Sequence, residues 1–567
     1  MSVFSSKFRN ISKKAVSWSL AALTAVAGVS AMPDVLNVKV QAASTLSDSD
    51  RGVIYANSRT DFRDESIYFT MTTRFYDGDP SNNTWCWDGG EKLNPNDPEW
   101  RGDFKGLIEK LDYIKALGFT AIWITPVVEN CSGYDYHGYH AINHSKVDPR
   151  YESSDCTYQD LIDACHAKGM KIIQDIVLNH TGNFGETNLM PMFEKVGDLN
   201  TTDCLKQTAN SVLPSNYDDM LPAQQYQARI ACMKEEDQDT KNIYHHQKSL
   251  NWDDYTCQTA QIAGDCVDLN TENPIVYNYL VDCYTNYINM GVDAFRVDTV
   301  KHISRLTFNK VFNQAFINAG KQNGKDFYMF GEVCTRDRNV WYRGTPPLSA
   351  PFYTWKESKE YAWSDTDWQT NLDSAEANYY DNGSVEAQPT SNNAFLNGNE
   401  YHTPDYSKAS GLNVIDFPMH WNFEDARSAF GVRGTDSAYN DATWNVTYVD
   451  SHDYAPDQAP ENQRFAKDQA TWAENLSLIF TWRGIPCIYY GSEIEFKKGC
   501  MIYVGPNAAL EDTGRAYFGD HIEGNIDAED FTVFGNVTGA VGETLNYPLA
   551  QHIMRLNRIR QDRKNVV

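Results

Sequence analysis

Eight times between Ser66 and Arg560 a short apolar segment is followed by a helix-period segment or a polar insert, and this alternation restricts the fold more than any other feature. The segments rich in aromatic and β-branched residues are 66–75, 119–125, 171–177, 291–298, 327–333, 412–417, 446–450 and 485–490. Helical periodicity falls at 103–117, 157–168, 273–290, 305–319, 423–430, 464–482 and 548–560. Gly118 and Gly169 stand where helices should stop. Segment 171–177 is almost continuously apolar, as a parallel strand covered on both faces should be. Eight such units predict an α/β fold, a closed (β/α)8 barrel with its active site at the C-terminal ends of the strands. The rhythm fails at 181–268, which reads as a small lobe hung on the loop after the third strand, and 334–410 reads as irregular.

At 567 residues the chain exceeds one compact core, so it is one large barrel with insertions or two to three domains. The expected division is 43–180 and 269–567 for the barrel, with 181–268 inserted. Residues 1–42 are set apart. Lys7, Arg9, Lys13 and Lys14 precede an apolar run from Ala15 to Ala31, and Val40-Gln41-Ala42 offers a small-residue cut, which together read as a secretory signal; a cut after Ala31 is the alternative. No later stretch is long and apolar enough to span a bilayer, so a secreted protein outside the membrane is expected. A formal charge of −27 argues against nucleic acid as partner and is compatible with a neutral substrate. The twelve cysteines contain no C-x-x-C. Outside the cell they are free to form disulfides, and Cys204, Cys232, Cys257 and Cys266, which share one segment, are the first candidates to pair.

The polar residues at the predicted strand ends carry the chemistry. Asp175, Asn179 and His180 follow the third strand, Arg296 and Asp298 end the fourth, Glu332 ends the fifth, and His452 and Asp453 follow the seventh. In GVDAFRVDTVKH the period is two, so Arg296 and Asp298 share a face and the cation holds the carboxylate in place. Alone, that pair reads as a structural ion pair. Three carboxylates, two histidines and an arginine at one level of a barrel are harder to explain as packing. Two acids flanking a bond, one ionised and one protonated, cleave acetals. Asp298 is the candidate nucleophile. Glu332, in the apolar setting FGEV, is the candidate proton donor because desolvation raises a carboxyl pKa. Asp453 is placed to stabilise a cationic transition state, and His180 and His452 to hold sugar hydroxyls. Separately, the loop Asp77-Gly78-Asp79-Pro80-Ser81-Asn82-Asn83 offers closely spaced oxygens to a hard cation, Ca2+ above all; a solvated turn is the alternative.

DIVLNH, AFRVDTVKH, FGEV and VDSHD, in this order, with GFTAIWITP, VDLN and GIPCIYYGSE, resemble the motifs of the retaining α-amylases, glycoside hydrolase family 13. The resemblance runs from about Ser66 to Arg560. It implies Asp298 as nucleophile, Glu332 as acid/base, Asp453 as transition-state stabiliser, and Arg296, His180 and His452 around the reacting sugar. In YHGY it implies Tyr139 as a stacking residue with His137 beside it. It also implies calcium at Asn179, Asp268 and the His302 carbonyl, and a second calcium site formed by Asp77, Asp79, Asn82 and Asn83 with Asp103. Lys301 and His302 resemble residues that receive the leaving sugar in true α-amylases. Cyclising relatives have a bulky aromatic where Gly264 stands, so water is the expected acceptor. The expected activity is therefore endo-hydrolysis of α-1,4-glucosidic bonds in starch by a calcium-dependent, secreted, monomeric enzyme. A transglycosylase, a maltogenic or pullulan-cleaving enzyme and a non-catalytic glucan-binding barrel are the alternatives. Family amylases usually add a β-sandwich after the last barrel helix, whereas this sequence ends at Val567. The aromatics Trp341, Tyr342, Phe352, Tyr353, Trp355, Trp363 and Trp368 are candidates for further glucan contact or for packing of a large loop.

Overall fold

In the computed structural model, residues 59, 61–87, 94–196, 204–336, 338–391 and 404–561 are described. The signal reading on 1–42 lies outside them. Eight parallel strands form the central sheet: β1 Ile67–Thr70, β2 Ala121–Ile124, β3 Lys171–Ile176, β4 Ala294–Val297, β5 Tyr328–Gly331, β6 Asn413–Val414, β7 Val446–Thr447 and β8 Ile485–Tyr489. Their order in space is β6, β5, β4, β3, β2, β1, β8, β7. A parallel bridge between Ile415 and Val446 joins the two ends, so the sheet curls into a (β/α)8 barrel. All eight predicted strands are present, shortened at their ends.

Local sequence explains most helix boundaries. Thr157 and Asp160 form a reciprocal capping box on Tyr158–Ala167. Asn273 caps Pro274–Met290, with proline at the first turn. Four expectations need correction. Segment 66–75 is not one strand: after Thr70, the last residue paired with β2, the chain turns and Thr72–Phe75 is helical. Arg74 in that turn is fully buried and donates to Pro98 O at 2.8 Å and Arg515 O at 3.2 Å, partners that an extended chain would not have met. The helix at 103–117 is two, Phe104–Glu109 and Leu111–Leu117, hinged at Lys110, and that at 305–319 carries a π turn at Phe308–Phe312. Segment 334–410 is not wholly irregular, for it contains the fourteen-residue helix Trp368–Asp381.

The stretch 181–268 begins and ends side by side. His180–Thr181 pairs antiparallel with Val267–Asp268, and between them lie a hairpin, Phe193–Lys195 with Leu205–Gln207, and the helix Pro222–Lys234. The expected cysteine pairing is not found: all twelve cysteines are free. Cys257 lies against His302, Cys266 against His140 and Cys232 against Val212 O and Gln238, so sharing a segment did not bring their sulfurs together. Among the described residues no helix is long and apolar enough to cross a membrane.

Candidate active site

Arg296 anchors the site. It lies within β4, in register with Asp175 on β3, and its guanidinium is buried. Nη1 donates to Asp298 at 2.6 Å and to the two oxygens of Asp175 at 3.0 and 3.1 Å. Nη2 donates to Glu332 at 2.7 Å. Parallel register makes this meeting possible: Asp298 N bonds to Ile176 O and Glu332 N to Val297 O, so each acid sits one step past its strand on the same rim. The Asp298 and Glu332 carboxyls are close enough to hydrogen-bond to each other.

Burial decides their protonation. It pushes the Glu332 carboxyl up to about 8, against the pull of Arg296 and helped by the charges of Asp298 and Asp453. Burial also raises Asp298, opposed by Arg296 and by the hydrogen bond from Glu332. Arg296 and the hydrogen bond from Glu332 thus favour the charge on Asp298, and burial favours the proton on Glu332. Burial works on Asp453 too, but His452, Arg515 and Arg296 outweigh it and hold this carboxyl below its ordinary range. Arg515 Nη2 donates to Asp453 Oδ1 at 2.7 Å.

Tyr139 links the remaining polar groups. Its hydroxyl donates to Asp175 at 2.9 Å and lies 2.9 Å from His452 Nε2, which is 3.1 Å from Asp453. The two rings stack at 5.6 Å. The His180 ring meets Tyr139 O at 3.0 Å and Asn179 Oδ1 at 2.7 Å, and Tyr139 N donates to His137 Nδ1 at 3.0 Å. Burial lowers His180 and His452 to about 3 and His137 well below the usual imidazole range, so all three are neutral hydrogen-bonding groups. Gly138 sets this loop: its φ is +89°, and a Cβ there would lie 2.5 Å from Pro126 O.

Thr299, directly after Asp298, has φ +49°, an unusual conformation for a β-branched residue. Its hydroxyl bonds to Asn179 Oδ1 and its N approaches Glu332 at 3.4 Å. Strain of this kind collects where the surroundings over-determine a geometry. Past it, Lys301 and His302 form a separate lip and do not join the Arg296 cluster. Lys301 Nζ sits over Tyr342 at 4.3 Å and Trp252 at 5.6 Å, and His302 Nδ1 donates to Cys257 O at 2.8 Å.

The expected cation ligands fall into two groups. Asp103 accepts from Gly106 N, Asp79 N and Gly78 N, while Asn83 Nδ2 donates to Asp77 Oδ2 at 2.7 Å. Asp77 Oδ1 and Asn83 Oδ1 are buried without any hydrogen-bond partner, and burial raises Asp103 to about 6. Asp79 turns its carboxylate to Ser81, and Asn82 donates to Glu152 O. In the second group Asn179 Nδ2 lies 3.5 Å from Asp268 Oδ1, but Asp268 Oδ2 is taken by His245 at 2.7 Å, whose other nitrogen is 3.2 Å from Glu272. Among the described residues no three His, Cys, Asp or Glu side chains are arranged to hold a metal. Sequence reasoning missed Arg515, His245 and Glu272 and gave Asp175 no role. The only local signal for Arg515 is an arginine after Gly514, which is uninformative until the chain past β8 folds back over Asp453.

The profile described as "Alpha amylase, catalytic domain" matches residues 69–505. The Beta/alpha-amylase of Paenibacillus polymyxa is 28% identical over 459 residues, 78% of this chain and 28% of that protein. The cyclomaltodextrin glucanotransferase of Klebsiella oxytoca is 27% identical over 471 residues, 76% of this chain and 58% of that protein. The chain thus spans less than two thirds of the length of these relatives. An α-amylase from Anoxybacillus superposes with a TM-score of 0.54 at 22% identity, covering 89% of this chain and 80% of that one, and shows the shared fold. The profile takes in β2 to β8 and the whole Arg296 cluster. The chain belongs to the α-amylase catalytic-domain family, glycoside hydrolase family 13, whose members hydrolyse or transfer glycosidic bonds.

Proposed function

We propose that the protein is a secreted α-amylase that cuts internal α-1,4-glucosidic bonds of starch and related glucans with retention at the anomeric carbon. One observation carries this reading: Asp298 and Glu332 share the Arg296 guanidinium and lie within hydrogen-bonding reach of each other, with burial pushing Glu332 up to about 8. A carboxyl pair within hydrogen-bonding reach leaves no room for the intervening water of an inverting enzyme, whose acids stand farther apart. Protonated Glu332 gives its proton to the glycosidic oxygen as the bond to C1 breaks, and ionised Asp298 bonds to C1. Glu332, now a base, takes a proton from water, whose oxygen displaces Asp298 and restores both groups. Asp453, held ionised, stabilises positive charge on the sugar ring. His452 and Tyr139 supply fixed, neutral hydrogen-bonding groups for hydroxyls, while His180, whose two nitrogens are taken by Asn179 Oδ1 and Tyr139 O, holds the Tyr139 loop in place.

Calcium belongs to this reading. The orphaned oxygens of Asp77 and Asn83 beside Asp103 fit a hard cation, which when bound supplies charge neutralisation and cross-links the loop to the helix start at Phe104. At Asn179 and Asp268 the oxygen donors are present, with His245 already paired to the carboxylate. The 1–42 segment supports export, and a monomer suffices because every group invoked comes from one chain.

The test is a timed product profile on amylose with anomeric NMR. Linear oligosaccharides released first as the α-anomer support the proposal, and β-anomers or predominantly cyclic products overturn it. A second reading, transfer to a sugar hydroxyl, is favoured by Tyr226, whose hydroxyl donates to Gly264 O at 2.9 Å and sets an aromatic ring beside that glycine. The same profile separates the two.

A further inference from the structure

We propose that His245 is the positioning residue of the calcium site at the root of the 181–268 lobe: it takes one oxygen of Asp268 and leaves the other, beside Asn179, to the cation. His245 and its second partner Glu272 lie outside the expected ligand set, and their role depends on the calcium reading of Asn179 and Asp268.

The backbone fixes where His245 stands. Tyr244 bridges Leu269, His245 N donates to Asp268 O at 3.0 Å and Leu269 N to Asn179 O at 2.7 Å, while His180 pairs with Asp268. Three segments therefore run side by side at the root of the lobe. Asn270 N donates to Ile243 O at 2.9 Å, and the Nδ2 groups of Asn270 and Asn273 donate to Asn242 O at 3.1 and 2.8 Å. The turn before His245 is thus held by the same stretch that carries Asp268.

His245, Asp268 and Glu272 are all buried, and their contacts divide the available oxygens unevenly. His245 Nδ1 donates to Asp268 Oδ2 at 2.7 Å, and its Nε2 is 3.2 Å from Glu272 Oε2. Glu272 Oε1 accepts from the Thr307 hydroxyl at 2.6 Å, and Oε2 accepts from the Thr271 hydroxyl at 3.2 Å. Asp268 Oδ1 is left over. Among the described residues it meets Asn179 Nδ2 alone, at 3.5 Å, beyond the usual hydrogen-bond range. A buried carboxylate oxygen in that state, next to an amide side chain, suits a hard cation.

The contacts run on from Asp268 through His245 and Glu272 to Thr307, in the short helix Arg305–Thr307 that follows His302. A ligand supplied by the lobe is thereby braced against the barrel loop expected to supply the His302 carbonyl. Such outer contacts hold a ligand in the rotamer the metal needs, and losing one costs about 10- to 100-fold in metal affinity.

The experiment is calcium titration calorimetry on Asp77→Ala, which disables the separate loop site, with and without His245→Leu or His245→Asn, alongside melting in calcium and in chelator. Asp77→Ala should bind one equivalent of calcium. Adding His245→Leu should raise Kd by about 10- to 100-fold and shrink the melting-temperature gap between calcium and chelator. His245→Asn, whose amide can still donate to Asp268, should recover part of both. Glu272→Gln, a milder change, should raise Kd by a smaller factor and decides the matter if His245→Leu does not fold. An unchanged Kd with equal loss of melting temperature in calcium and chelator would show that His245 serves only packing, and a lower Kd would show that it competes with the metal; either overturns the proposal alone. An Asp77→Ala protein that binds no calcium defeats the calcium reading of this site, and the proposal with it.

Discussion

Arg515 holds Asp453 by a 2.7 Å hydrogen bond from Nη2, and its Nε donates to the carbonyl of the preceding residue, His452, at 2.9 Å. One buried guanidinium thus fixes both the side chain and the backbone of the third acid. Arg515→Ala should raise the Asp453 pKa and reduce kcat by roughly ten- to a hundredfold, the equivalent of about 1.5–3 kcal/mol for a charge-assisted bond. The acidic limb of the pH–rate profile should move to higher pH, and Arg515→Lys should recover part of both effects. A uniform loss of rate with an unmoved limb would show that Arg515 serves only packing.

Asp298→Asn and Glu332→Gln should each lower hydrolysis of amylose by about a thousandfold or more while leaving the melting temperature close to wild type. The two differ on an aryl α-glycoside whose leaving group needs no proton. Glu332→Gln should still release the phenol in a burst, and Asp298→Asn should not. Wild-type turnover by either variant would remove the double-displacement assignment.

The pH profile follows from the sign of the Glu332 shift. Catalysis needs this carboxyl protonated and Asp298 and Asp453 ionised, so kcat/KM should fall as pH rises through about 8 and fall again in acid as either of those two takes up a proton. Because the charge of Asp453 raises Glu332, Asp453→Asn should bring the basic limb of its residual activity to lower pH. A basic limb unchanged in that variant would detach it from Glu332.

Calcium is tested on stability. Exhaustive chelation should lower the melting temperature and added Ca2+ restore it, with a ligand at a hundred times its Kd contributing about 2.7 kcal/mol. Asp77→Ala should blunt the response if the Asp77–Asn83–Asp103 loop is the site. Identical melting with and without chelator in the wild type would leave the two orphaned oxygens unexplained.

Gly138→Ala introduces a Cβ 2.5 Å from Pro126 O at φ +89°. It should cost roughly 1–3 kcal/mol and displace Tyr139 from Asp175 and His452. Calorimetry checks the first effect and KM on maltotetraose the second.

The barrel was legible because its signals are local. An apolar run such as 171–177 has one way to satisfy its backbone and bury both faces, and Gly118 or the Thr157–Asp160 box marks a boundary within a few residues. The acids were legible for the same reason, since a strand end recurs at the same level of every barrel unit. Three features were not. Helix Trp368–Asp381 has a polar sequence and is stabilised by distant contacts such as Asn371 with Glu272. Segment 66–75 looked like one strand because its composition suits a strand throughout, yet the sheet that would pair with it ends at Thr70. The cysteines shared a segment and nothing more.

From sequence alone came the strand count, the identity of the acids at the rim and the alternation that puts Arg296 and Asp298 on one face, all of which depend on periods of two or 3.6 residues. Only the folded chain decided that Arg296 serves Asp175, Asp298 and Glu332 together, that Arg515 reaches Asp453, and how deeply the two acids expected as nucleophile and proton donor are buried. Those outcomes depend on desolvation and on distances of a few ångströms between residues far apart in the chain, quantities that exist only after the strands have closed around a common rim.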